Sequence, residues 1–270
     1  MAKGVIETWE KLEDFKRRDV TFDGLKRRVF VSGQGPAVII IHEIPGITPE
    51  VARFARWVRD AGFTVYLPSL FGKPGKPNSP GYVNASIFRV LCIAREFKIL
   101  NSADEHSPVV DWLKQLAALV HCECGGKGVG ALGMCLTGNF ALSMMVEPAV
   151  MAPVLCQPSV PVNDPAGMHA SPKDIAAVRA RVDREDLTLR AYRFAGDKHC
   201  KAARFEAFSA ALGPRFEGEV LPDSAAKPDT FSANPHSVVT THLIDEAGSL
   251  TRAKVDEIIA FFRLRLSARD

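Results

Sequence analysis

The chain has 270 residues, with 34 Lys and Arg against 31 Asp and Glu, so its net charge is only +3. This small excess gives no reason to expect nucleic acid or an anionic membrane as a partner. Hydrophobic residues make up 47% and charged residues 24%, which excludes a disordered or collagen-like chain, and no uncharged apolar run approaches the ~18 residues of a membrane-spanning helix.

Residues 1–20 carry charges throughout and contain no continuous apolar stretch, so we expect no secretory signal and a cytoplasmic location. In that compartment the six cysteines should be reduced thiols. They are Cys92, Cys122, Cys124, Cys135, Cys156 and Cys200. Residues 5–17 predict a short amphipathic helix, so that 1–17 would be a helical extension of a single domain over 1–270.

Further along, β-type stretches surround a hairpin-turn signal at Asp23 and Gly24. The β-branched run over 37–41 is typical of a central parallel strand that is buried on both faces. Strands and helices then alternate, which predicts an α/β fold with a mostly parallel sheet and helices on both faces. We expect strands over 63–67, 129–132, 150–156, 189–194 and 216–221, helices over 49–61, 83–99, 104–119, 136–146, 172–183, 201–212 and 251–266, and a surface loop over 71–82.

In such sheets ligands bind where the strands end. After strand 129–132, Cys135 lies between Gly133 and Gly138 in a strand-to-helix turn, which is the pattern of a nucleophile elbow. The helix N-terminus behind the thiol would favour its thiolate and could hold an oxyanion. The alternative is that Cys135 is one more buried thiol.

The loop 42–47 follows strand 37–41, and a first-strand loop of this kind usually supplies one backbone donor of an oxyanion hole. Glu43 in this loop must be paired or functional, because burial of a lone carboxylate is costly. Pairing with a nearby basic side chain is the simpler alternative.

Three segments together resemble the dienelactone hydrolase family of α/β-hydrolases: 42–47 (HEIPGI), 62–71 (GFTVYLPSLF) and 133–138 (GMCLTG). Family members read close to Q/H-E-x-x-G, a glycine-aromatic strand ending P-D-L, and G-x-C-x-G-G. The resemblance extends from about residue 35 to the C-terminus, and it departs from the pattern at Thr137, which replaces a glycine. It implies an α/β-hydrolase fold and hydrolysis of a small ester or lactone by a Cys-His-Asp triad, without a cofactor or metal.

Within this resemblance, Cys135 matches the nucleophile, and the backbone N–H groups of Ile44 and Leu136 match the oxyanion hole. Glu43 matches a glutamate that in such enzymes can exchange a proton with the thiol. His236, in the sequence NPHSV, matches the base, with His242 as its competitor.

The acid must lie between the nucleophile and the histidine in the chain. Many α/β-hydrolases read G-x-x-D after the corresponding strand, but that position is His199 here. Asp197 is the only carboxylate in the loop 193–200, so we assign the acid to Asp197. The alternative is that Asp197 caps the helix near residue 200, with His199 as a hydrogen-bond partner in the site.

Family members that act on carboxylated lactones clamp the carboxylate with arginines, one of them shortly after the catalytic histidine. Here no arginine follows His236 until Arg252, and Arg89 and Arg95 are more typical of a solvated helix face. An anionic dienelactone substrate is therefore not supported. The apolar segment 78–100 fits either a lid or an ordinary buried helix.

Three other sequence patterns are weaker indications of a functional site. Residues 121–124 (HCEC) lack the second ligand pair of a zinc site and predict a loop of free thiols. The glycine-rich run 125–130 precedes a strand and so lacks the context of a phosphate loop, and Cys156 and Ser159 could line a pocket or simply pack. The competing function is a catalytically weak or inactive binding protein of the same fold, suggested by Thr137 and by the missing acid at position 199.

Overall fold

The computed structural model describes residues 9–92 and 108–267, with the side chains of 90–92 left out. One eight-stranded sheet runs through it in the order β1-β2-β4-β3-β5-β6-β7-β8. The first two strands form an antiparallel hairpin, β2 pairs antiparallel with β4, and every other pairing is parallel. The strands are β1 (Lys16–Phe22), β2 (Leu25–Gly33), β3 (Ala37–Ile41), β4 (Thr64–Ser69), β5 (Val129–Met134), β6 (Val150–Cys156), β7 (Leu189–Phe194) and β8 (Phe216–Leu221).

Helices cover both faces of the sheet, as the alternating pattern predicts. They are α1 (Pro49–Asp60), α2 (Pro80–Cys92), α3 (Pro108–Cys124), α4 (Phe140–Met144), α5 (Pro172–Arg184), α6 (Ala202–Leu212) and α7 (Leu250–Leu266). Two apolar cores result, one against α1 and α7 and the other against α3 to α6. Strand β3 is buried throughout and contributes alternate residues to the two cores, which explains its unbroken β-branched sequence.

The predicted N-terminal helix is wrong over its described part. Residues 9–15 contain a turn and no helix, and β1 begins at Lys16; residues 1–8 lie outside the described range. The last two residues of the predicted helix, 16 and 17, belong instead to β1. This strand pairs with β2 across a turn in which Asp23 and Gly24 both have positive φ. Leu12 and Phe15 are buried in the α1–α7 core, so the apolar periodicity that resembles a helix reflects packing of an irregular segment.

Helix boundaries also differ from the prediction. Helix α2 begins at Pro80 rather than at 83, and its predicted end lies outside the described residues. Helix α3 continues to Cys124, so the predicted loop of free thiols at 121–124 is its last turn. Gly125, with φ of 67°, ends the helix, because glycine adopts this left-handed conformation without a Cβ penalty.

The described part of the 78–100 segment is not an ordinary buried helix. On α2, Tyr82 and Ser86 are buried, whereas Phe88 is 70% exposed and Ile87 is 41% exposed. Among the described residues, no helix combines the length and the apolar character needed to cross a bilayer.

Candidate active site

The site is assembled at the edge where β3, β5, β6 and β7 end. These four strands are consecutive parallel neighbours in the sheet, and β4 and β8 lie on either side of them. Their carboxyl ends therefore bring the loops that start at residues 42, 135, 157 and 195 to one edge, as expected for a ligand site in such a sheet.

Cys135 occupies a sharp turn directly after β5. It has a positive φ of 54° and opens a single 3₁₀ turn, Cys135–Thr137. A non-glycine residue in this conformation stores backbone strain, which is typical of a nucleophile elbow. The turn needs its glycines: a Cβ on Gly133 would lie 2.1 Å from the Thr137 carbonyl oxygen, and one on Gly138 would lie 2.5 Å from Cα of Pro158.

Thr137, which departs from the family pattern, ties the elbow to the end of β3. Its hydroxyl accepts a hydrogen bond from the Met134 amide at 3.0 Å and lies 2.9 Å from the Ile41 carbonyl oxygen, to which it donates. The side chain is fully buried. The hydroxyl therefore provides a link between β5 and the loop of Ile44 that glycine could not make.

His236 and Asp197 are in direct contact. Nδ1 of His236 lies 2.7 Å from Oδ2 of Asp197, whose side chain is completely buried. The other oxygen, Oδ1, accepts hydrogen bonds from the amides of His199 at 2.9 Å and Cys200 at 3.2 Å. Asp197 does not cap helix α6, because that helix begins at Ala202 with Lys201 at the N-cap.

Charge in this cluster favours an imidazolium. Burial lowers the pKa of His236, but Cys135 and Asp197 together raise it well above its usual value of 6.5. Burial raises the pKa of Asp197, but the hydrogen bond and charge of His236, together with the amides of His199 and Cys200, lower it by more, so the net pKa is lowered. Asp197 occupies Nδ1, which leaves Nε2 for Cys135. Nε2 has no hydrogen-bond partner with good geometry among the described residues. Cys135 is nevertheless close enough to raise the pKa of the His236 ring.

Three other histidines, His242, His199 and His42, lie near the site, but their rings do not contact Asp197 as the His236 ring does. Nδ1 of His242 accepts from the amides of Ser237 at 3.1 Å and His236 at 3.4 Å, so His242 holds the backbone of the histidine loop. The ring of His199 lies edge-on to that of His236 with centroids 5.3 Å apart. His42 is fully buried, and burial lowers its pKa to about 4.

Glu43 is buried between the β3 loop and the histidine loop. Oε2 accepts hydrogen bonds from the Ser237 hydroxyl at 2.7 Å and from the Gln157 amide at 3.3 Å, and Oε1 accepts from the Thr240 hydroxyl. Burial raises the pKa of Glu43, and the Thr240 hydroxyl, the charge of His236 and the Ser237 hydroxyl lower it, with a net increase. All its partners are polar but uncharged, so the expected alternative of a basic partner is wrong for the described residues.

Sequence reasoning missed Gln157, Ser237 and Thr240 as members of the site. Gln157 comes directly after β6 and has a positive φ of 36°, but a single sequence reveals neither. Ser237 directly follows His236 in the chain, and this position beside the candidate base is the one feature of the sequence that could have indicated its place in the site. Ser159 donates to the Gln157 carbonyl at 2.9 Å and Cys156 is fully buried, so both act in the turn and core.

One candidate oxyanion donor lies in the elbow itself and the other in the loop after β3. Leu136 directly follows Cys135 in the 3₁₀ turn. The Ile44 amide donates no hydrogen bond to any described residue, which leaves it free for an oxyanion.

Of the three arginines considered as carboxylate clamps, Arg252 and Arg89 lie in the described part of the chain. Arg252 is held on α7 by Asp245 and Asp256, each at 3.0 Å. Arg89 lies exposed on α2, and Arg95 lies outside the described residues. Within 9–92 and 108–267, no group of three His, Cys, Asp or Glu side chains is arranged to hold a metal ion.

The sequence profile of the dienelactone hydrolase family matches residues 25–184, which is more than half of the chain. A carboxymethylenebutenolidase from Rhodococcus opacus is 27% identical over 111 residues, or 41% of this chain and 38% of that protein. The match thus spans well under half the length of this curated relative.

Solved structures with the same fold include a dienelactone hydrolase-like promiscuous phosphotriesterase from metagenomic libraries, with a TM-score of 0.62, 15% identity and coverage of 93% of this chain and 98% of the other. A dienelactone hydrolase from Anabaena variabilis has a TM-score of 0.58 and 14% identity, covering 94% and 100%. At such identities the likeness shows the fold, which is that of an α/β-hydrolase. With the match of the family profile, the chain belongs to the dienelactone hydrolase family.

Proposed function

We propose that this hydrolase cleaves small carboxylic esters or lactones with Cys135 as nucleophile, His236 as base and acid, and Asp197 as the group that orients His236. The observation that carries the proposal is the 2.7 Å contact between Asp197 and Nδ1 of His236. With Nδ1 occupied, Nε2 is the nitrogen that serves Cys135, which is the division of roles that a triad requires.

In the first step the Cys135 thiolate attacks the substrate carbonyl carbon, a C–S bond forms, and the carbonyl electron pair moves to oxygen. Collapse of this intermediate breaks the C–O bond, and imidazolium His236 donates its proton to the leaving alkoxide. Neutral His236 then takes a proton from water as that water attacks the thioester. Departure of the thiolate releases the acid and restores the imidazolium pair.

The negative oxygen of each intermediate is placed against the backbone N–H groups of Ile44 and Leu136. Removal of one such donor typically costs ~10²–10³ in rate. Thr137 supports this pair, because its hydroxyl links the elbow to the carbonyl at the end of β3. A thiol nucleophile favours activated esters, enol lactones or thioesters over amides. No arginine follows His236 until Arg252, which favours substrates without a clamped carboxylate.

Hydrolysis of p-nitrophenyl acetate by wild type and Cys135→Ala tests the proposal. Wild type should release a burst of p-nitrophenol equal to the enzyme concentration, and Cys135→Ala should release none. A panel of neutral and carboxylated lactones would then define the substrate class.

A non-catalytic binding protein of the same fold remains the second candidate. It was suggested by the missing acid at position 199 and by Thr137. The contact of Asp197 with His236 supports an acid at another position, and the Thr137 hydrogen bonds support an intact elbow. Equal absence of a burst in wild type and in Cys135→Ala would favour the binding protein.

A further inference from the structure

His236 lies in a segment without regular secondary structure, between Pro235 and the turn that starts at Val238. No sheet ladder fixes such a segment, so side-chain hydrogen bonds must hold the ring against Cys135. The contact with Asp197 restrains one end of the ring. The position of the backbone that carries His236 depends on other groups. His242 accepts from the His236 and Ser237 amides, and Glu43 contacts the same loop from the end of β3.

Glu43 reaches the histidine loop at two points. Its Oε2 accepts from the hydroxyl of Ser237, the residue directly after His236, at 2.7 Å, and its Oε1 accepts from Thr240. The carboxyl, Ser237 and Thr240 are all buried, with Glu43 3% exposed and Thr240 1% exposed. These hydrogen bonds are costly to lose, because each loss leaves a buried polar group unsatisfied.

Gln157 closes the same arrangement from β6. Its side-chain amide donates to Oε2 of Glu43 at 3.3 Å, and its side-chain oxygen accepts from the Val238 amide at 3.3 Å. Gln157 is itself fully buried. Glu43 thus has three donors, and every one of them belongs to the histidine loop or is bonded to it.

We propose that Glu43 is a positioning residue that couples the oxyanion loop to the histidine loop, rather than a proton-exchange partner of the Cys135 thiol. Glu43 directly precedes Ile44, the candidate oxyanion donor, while its carboxyl holds the residues that follow His236. One side chain therefore sets the distance between two halves of the site. This inference rests on the proposed function, and it departs from the role that the family resemblance implies for this glutamate.

The two roles differ in whether they need the thiol. In Cys135→Ala there is no thiol with which to exchange a proton, but a positioning role persists. The signal of the His236 Nδ1 proton shared with Asp197, observed by proton NMR, reports the geometry of this pair without turnover. Its assignment follows from its loss in Asp197→Asn.

In the Cys135→Ala background, Glu43→Gln and Thr240→Val should each shift or broaden the His236 proton signal. Thr240→Ser, which keeps the hydroxyl, should restore it. Thr241→Val is the matched control, because the Thr241 hydroxyl accepts from Asn78 and does not contact Glu43. An unchanged signal in both Glu43→Gln and Thr240→Val would overturn the proposal.

With the thiol present, Glu43→Gln and Thr240→Val should each lower kcat, by up to about 10²-fold for a displacement near 1 Å, with KM nearly unchanged. The double variant should be no worse than Glu43→Gln alone, since both changes break the same contact. Full kcat in Thr240→Val with a large loss in Glu43→Gln would also overturn the proposal. Activity that survives Cys135→Ala would instead refute the proposed nucleophile, and the NMR comparison would still decide the role of Glu43.

Discussion

Oδ2 of Asp197 lies 2.7 Å from Nδ1 of His236, although 39 residues separate them in the chain. The loop after β7 carries the carboxylate, and the irregular segment before α7 carries the ring. The same carboxylate binds two amides of its own loop through Oδ1. Asp197 is thereby fixed by its own loop before it orients His236.

Replacement of Asp197 by Asn should lower turnover by up to about 10⁴-fold, because Asn would hold His236 in the wrong tautomer. The change in melting temperature should be small, since the Asn oxygen can still accept from the loop amides. Steady-state kinetics and thermal denaturation of the same sample measure both effects. Asp223→Asn is the matched control, because Asp223 accepts from the Gly196 amide of this loop at 2.7 Å without touching His236. Unchanged turnover with a lowered melting temperature would contradict the assigned role of Asp197.

Cys135 should be the thiol that reacts fastest with iodoacetamide, because it is partly exposed and adjacent to the His236 imidazolium. Cys156 and Cys200 should react slowly, because burial raises the pKa of each. Peptide mapping after brief labelling identifies the modified site, and loss of esterase activity should parallel modification of Cys135. Exposed Cys122 is the natural competitor, so Cys122→Ser serves as control. Faster labelling of Cys122 with activity retained would argue against Cys135 as nucleophile.

The pKa of His236 should fall in Cys135→Ala. Burial lowers this pKa in both proteins, but the variant lacks the thiol that raises it in wild type. An NMR titration of the His236 ring measures the change. The alkaline limb of kcat/KM in wild type should lie well above pH 6.5, since loss of the imidazolium removes the proton donor for the leaving group. An alkaline limb near 6.5 would contradict the imidazolium pair.

Thr137→Val should lower the free energy of unfolding by about 1–3 kcal/mol, because it leaves the buried Met134 amide without its acceptor. Thr137→Ser, which keeps the hydroxyl, should lose much less. Denaturation in urea measures both variants at constant pH. Equal stability of Thr137→Val and wild type would show that the hydroxyl is not the link between the elbow and β3.

The sequence predicts the central architecture because its determinants are local. A strand buried on both faces must be apolar at every position, as β3 is, and the order of strands and helices restricts the sheet to a few topologies. The elbow is also encoded locally, since the glycines at 133 and 138 allow backbone contacts that any Cβ would block. The same local reasoning failed at residues 9–17, where an irregular segment over 9–15 and the start of β1 stand in place of the predicted helix.

Only the tertiary structure decided which groups meet at the site. Asp197 reaches His236 across 39 residues, and Glu43 reaches Ser237 across 194. No local pattern specifies such contacts, because they depend on how parallel strands align their carboxyl ends in one sheet. The order of residues in the chain restricted the position of the catalytic acid to the loop after β7. The packing of loops that are distant in the chain then buries Asp197 against His236. The same packing gives Glu43 its polar partners.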